Sequence, residues 1–73
     1  MEPIKDISTE QKILEAAEII FHEKGFDGAR MQEIADKATI NKGLLHYYFK
    51  SKDALFEAIF DVAIRRMITN LNA

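Results

Sequence analysis

The sequence is poor in the residues that break helices or cross-link chains. It has no cysteine, which excludes a disulfide framework, a thiolate nucleophile and any zinc site built on sulfur. Proline occurs only at Pro3, and glycine only at Gly25, Gly28 and Gly43. No apolar run approaches the ~20 residues of a membrane span. The opening Met1-Glu2-Pro3-Ile4-Lys5-Asp6 is charged and lacks the apolar core of a secretory signal. These features fit a cytoplasmic location. One further scarcity is local: residues 37–52 contain no aspartate or glutamate.

What is present points to an all-α chain. Seventy-three residues suffice for one small domain, and 48% hydrophobic content is ordinary for a folded one. Apolar residues recur at helical spacing throughout. A first helix is expected from Ser8, with Ser8 as N-cap and Gln11 closing a capping box. Its apolar stripe is Ile13, Leu14, Ala17, Ile20 and Phe21. Gly25, in the left-handed conformation, is expected to end it, and Phe26 to fold back on the core. After a connector at Asp27-Gly28-Ala29, a short second helix carries Met31, Ile34, Ala35 and Ala38. Thr39-Ile40-Asn41 interrupts it, with Ile40 tucked under the turn. Asn41 is a good N-cap for a third helix, Lys42 to about Tyr48. Leu45 and Phe49 share its inner face, leaving Lys42, Leu44, Tyr47 and His46 toward the outside. Ser51 caps a fourth helix of about 30 Å, on which Leu55, Phe56, Ile59, Phe60, Ala63, Met67 and Leu71 repeat at three- and four-residue steps. Three short helices cannot cover that length. Val62, Ile64, Met67, Ile68 and Leu71 are expected to form an exposed apolar patch, the usual mark of an absent partner.

Charge is distributed unevenly. The net charge of −2 argues against a polyanion partner, yet Lys37, Lys42, Lys50 and Lys52 occupy the acid-free stretch. A duplex meets one face of a protein, so the local field matters more than the total. Taken alone, four lysines in that stretch read more readily as solvated surface than as a polyanion contact.

Catalytic and metal chemistry find little support. His22 and His46 make no metal motif. Pairs such as Glu15 and Glu18, or Asp53 and Glu57, have the spacing of solvated helix-surface charge. No nucleophile stands with a base and no phosphate loop is present. The chain reads as a non-enzyme without cofactor or metal.

Two short helices joined by a tight turn are the outline of a helix-turn-helix. The second helix must bring small or flexible groups to base edges at its N-terminal end, and Asn41-Lys42-Gly43-Leu44 meets that requirement. Gly43 admits close backbone approach, Lys42 reaches a phosphate or guanine edge, and Tyr47 offers a hydroxyl and a ring. A small helical protein–protein module, docking through its apolar fourth helix, remains the alternative from composition and spacing.

The stretch from Ile13 to Phe60 resembles the DNA-binding domain of the TetR family. The matching pieces are ILEAAEIIFHEKGFDGARMQEIADKA and NKGLLHYYFKSKDALFEAIF. The resemblance lies in Ala17–Phe21, Gly25-Phe26, Ile34-Ala35, the Lys-Gly-x-Leu start of the third helix, and Tyr48-Phe49-x-x-Lys52. It implies a homeodomain-like three-helix domain over 1–50. Residues 51–73 would begin a connecting helix toward an absent C-terminal domain. It implies a transcriptional repressor whose third helix enters the major groove. Asn41, Lys42, Gly43 and Leu44 would then lie nearest the bases. Tyr47, Tyr48 and Lys52 would contact phosphate, with a base also open to Tyr47, and Arg30 or Met31 the flanking backbone, with Leu45 and Phe49 in the core. It further implies a homodimer of the full-length protein, a palindromic double-stranded operator, and a small-molecule effector bound by the absent domain.

Four positions depart from the family pattern. Ala29 replaces the usual Thr or Ser cap of the second helix. Thr39 stands where Gly is common, and is strained if the turn needs positive φ. His46 replaces a common Tyr, which leaves packing, phosphate contact or neither open there. Leu44 replaces a usual polar residue and favours contact with a thymine methyl.

Overall fold

The computed structural model describes residues 6–72, with side chains through residue 70. Its order is α1 (Ile7–Gly28), α2 (Met31–Lys37), α3 (Lys42–Tyr48) and α4 (Lys52–Asn72), with no strand among the described residues. The four largest fully buried side chains are Ile13, Ile34, Leu45 and Leu55, one from each helix. Each contributes roughly 1.5–3 kcal/mol by leaving water, so all four helices close on one shared centre. Small residues (Ala16, Ala17, Ala29, Ala35 and Ala38) fill the space between them and let the backbones approach. Helix α1 packs against α2 and α4, and α2 against α3.

Local chemistry sets the boundaries. The cap of α1 is Asp6, not Ser8: its carboxylate accepts the Ser8 N–H at 3.2 Å and the Thr9 hydroxyl at 3.4 Å. A negative charge at this end also suits the helix dipole. Gly25 does break α1, but with φ 74° and ψ 170° rather than the expected left-handed helical geometry. That extended, positive-φ region is essentially restricted to glycine. One more helical turn follows, so Asp27 and Gly28 belong to it and the connector shrinks to Ala29 and Arg30.

Ala29 is not the cap of α2. It is buried, its N–H donates to the Gly25 carbonyl, and Arg30 occupies the N-cap. An arginine side chain offers donors only. The Arg30 N–H is satisfied from the other direction, by the Glu33 carboxylate at 3.1 Å.

The turn after α2 is a Schellman motif. The Ile40 N–H donates to the Ala35 carbonyl and the Thr39 N–H to that of Asp36. This motif places its central residue at positive φ, and Thr39 adopts φ 60°. The threonine hydroxyl donates to the Ala38 carbonyl at 2.6 Å. Ile40 packs half-buried on the core. Asn41 then caps α3 as expected, accepting the Leu44 N–H at 2.7 Å.

Ser51 caps α4, accepting the Ala54 N–H at 3.1 Å. Among the described side chains of this helix, only Leu55 is fully buried. The apolar patch starts earlier than expected: Phe56 and Phe60 are exposed together with Ile64, Met67 and Ile68, whereas Val62 is half-buried. The Leu71 side chain lies outside the described residues.

Candidate nucleic-acid interface

Seven residues of helix, packed against α2, leave α3 a narrow outward arc. Lys42, Gly43 and His46 are exposed, as is the cap Asn41. Lys42 and His46 stand one turn apart on the same face. Leu45 is fully buried. Leu44 and Tyr47 are half-buried and pack against the core, so neither points straight outward. His46, left open by its sequence context, takes the outward place expected of Leu44. Phe49 is half-buried on the core and caps the C-terminus of α3.

Gly43 has two reasons to be glycine. A Cβ there would come within 3.3 Å of Asn41 Oδ1, the atom that accepts the Leu44 N–H. The glycine therefore protects the cap, and it also leaves the surface bare at the end of α3 whose free amides point outward.

Tyr48 differs from expectation. It is buried, and its hydroxyl oxygen accepts the Asp6 N–H at 2.7 Å. Its ring meets Tyr47 edge-on at 5.8 Å. Arg30 is exposed at the start of α2, whereas Met31 is half-buried against the core. Lys52 is half-buried. Its ammonium donates to the Ala29 carbonyl at 3.1 Å and sits 4.5 Å from the centroid of the Phe26 ring. The start of α4 is thereby joined to the start of α2, bringing Lys52 beside the residue preceding Arg30. Sequence reasoning missed the part of Phe26, because nothing local links positions 26 and 52.

Two acidic groups border the candidate site: Glu33, whose carboxylate accepts the Arg30 N–H, and exposed Asp53, next to Lys52 in the chain. Glu10, Glu15, Glu18 and Glu23 are exposed on α1. Glu33 pairs with Lys24; that hydrogen bond and charge, helped by the Arg30 N–H, hold its carboxyl below the ordinary glutamate range. Among the described residues no group of three or more His, Cys, Asp or Glu side chains could hold a metal ion, and no helix is long and apolar enough to cross a membrane.

Residues 13–59 match the family model of the bacterial regulatory proteins, tetR family. The chain belongs to the TetR family. Among relatives, it is 45% identical over 51 residues to the probable HTH-type transcriptional regulator YttP of Bacillus subtilis (strain 168), covering 70% of this chain and 25% of that protein. It is 38% identical over 53 residues to the HTH-type transcriptional repressor NicS of Pseudomonas putida, covering 73% and 25%. A TetR-like transcriptional regulator from Rhodococcus sp. RHA1 superposes with a TM-score of 0.88 at 36% identity, over 96% of this chain and 38% of that one. The chain thus spans about a quarter of the length of the curated TetR relatives it matches. The family is one of transcriptional regulators rather than enzymes.

Proposed function

We propose that this TetR-family chain is the operator-binding part of a ligand-responsive transcriptional repressor, and that α3 reads the major groove. The observation that carries the reading is the outward arc of α3: a lysine, a glycine and a histidine exposed together, in a stretch free of acidic residues. Lys42 and His46 offer donors to guanine edges or phosphate. Asn41 and Gly43 let the backbone come close. Leu44 and Tyr47, half-buried, present only their outer edges, suited to thymine methyls and sugar-phosphate.

Arg30 and Lys52 hold the flanking phosphates, with Met31 supporting the start of α2. Tyr48, buried with its oxygen engaged, orients α3 and retains its O–H for a phosphate. Residues 1–50 form the reading domain and 51–73 the start of a connecting helix. In the intact regulator, a further helical domain covers the apolar face of α4, dimerises and binds the small-molecule effector. Two reading units then address a palindromic operator, about one helical turn or a multiple of it apart. The location that fits this work is the cytoplasm.

The exposed Phe56, Phe60, Ile64, Met67 and Ile68 favour a second reading, a docking module that uses α4 and no nucleic acid. Titration of random-sequence duplex at several salt concentrations separates the two. An operator-binding domain binds weakly, at about 10⁻⁴–10⁻⁶ M, and loses affinity steeply as salt rises. Absence of any salt-dependent binding supports the docking module instead. Selection from a random duplex pool should then enrich a half-site, and Lys42→Ala should relax the preference at one or two of its positions.

A further inference from the structure

Lys52 is held in a way that leaves its charge available. A carboxylate partner would neutralise the ammonium. Here the partners are an aromatic face, 4.5 Å from Nζ to the Phe26 centroid, and the Ala29 carbonyl at 3.1 Å. Both fix the position of a cation without cancelling it. A lysine has three donors and the carbonyl takes one. The ring itself is firmly placed. Gly25 turns the chain at positive φ, and Phe26 then lies 5.8 Å from Phe21 and edge-on to Phe56 at 5.4 Å, while Phe21 and Phe56 stand 5.6 Å apart. Phe56 follows Lys52 by one turn of α4, so the first turn of that helix grips the ring with both residues.

We propose that Phe26 is a positioning residue for DNA binding: its ring seats the Lys52 ammonium beside the first turn of α2, ready to meet a backbone phosphate. The proposal rests on the reading of Lys52 as a phosphate contact. A free lysine gives up its rotamer freedom when it closes on an anion; a seated one has given up much of it already on folding. The ring therefore raises affinity without touching DNA.

The test uses the 73-residue chain and a labelled random-sequence duplex of about two helical turns, followed by fluorescence anisotropy. Replacing Phe26 by 3,4,5-trifluorophenylalanine nearly keeps the volume and removes the negative face of the ring. We expect about a two- to fivefold weakening of binding, with circular dichroism showing a folded chain. Phe26→Leu should weaken binding at least as much. In a Lys52→Met background the ring change should have no further effect. Wild-type affinity for the fluorinated chain overturns the proposal, as does an equal loss in the Lys52→Met background. If Lys52→Met alone binds as wild type, Lys52 is no phosphate contact and the proposal falls with that reading. If Lys52→Met weakens binding and the two changes are additive, only the seating by Phe26 is wrong.

Discussion

The hydroxyl oxygen of Tyr48 accepts a 2.7 Å hydrogen bond from the backbone N–H of Asp6, 42 residues earlier in the chain. The same Asp6 caps α1 with its carboxylate. The last turn of α3 and the first of α1 are therefore fixed by one residue on each side, and the orientation of the outward arc depends on both.

Removing that acceptor leaves a partly buried N–H unsatisfied. Tyr48→Phe should lower stability by about 1–2 kcal/mol and speed amide exchange over the first turn of α1. The slope of DNA affinity against salt should change little, since Lys42 and Lys52 remain. Denaturant titration and hydrogen exchange check this. Unchanged stability contradicts the link between α1 and α3.

Thr39 is β-branched and holds φ 60°, a conformation that costs a non-glycine residue roughly 1–3 kcal/mol. Thr39→Gly relieves the strain, loses the hydroxyl bond to Ala38, and adds about 0.5–1 kcal/mol of unfolded-state entropy. With the lost hydroxyl bond worth about 0.5–1 kcal/mol, the net expectation is a gain of about 0.5 kcal/mol, a rise in melting temperature of roughly 2–4 °C for a chain this small. A fall in melting temperature shows that the hydroxyl bond and the glycine entropy together outweigh the strain.

Gly25 is the mirror case. A Cβ there meets nothing within 4 Å, so space does not forbid a side chain. Its backbone does, at φ 74° and ψ 170°. Gly25→Ala should destabilise by about 1–3 kcal/mol, and should also disturb the packing of Phe26. Thermal melting together with the one-dimensional methyl and aromatic NMR spectrum checks it. A neutral result means that the break in α1 is easily moved.

Much of this was legible in the residues. Asn41 and Ser51 are short side chains with an oxygen acceptor just before an apolar run, and each caps the helix that follows. Ile34, Leu45 and Leu55 declare themselves by three- and four-residue spacing. The strain at Thr39 followed from a β-branched residue at a turn where glycine is common. Other features depend on distant partners. Ser8 and Asp6 are both good caps, and Asp6 takes the role while its N–H meets Tyr48. Leu44 looks outward by spacing, but Leu44, Leu45 and Tyr47 all pack toward the core, which leaves only the arc from Lys42 to His46 open. Phe56 belongs to the apolar repeat of α4, yet it lies beside Phe21 and Phe26 at the edge of the core.

The reading of DNA by α3 is tested most directly by adding a duplex to the isotopically labelled chain and following its backbone amides by NMR. Operator reading predicts that the largest shifts fall on residues 41–47, with smaller ones at Arg30 and Lys52, and that those of Phe60 to Ile68 stay in place. Shifts concentrated on Phe60 to Ile68, with α3 unperturbed, contradict it.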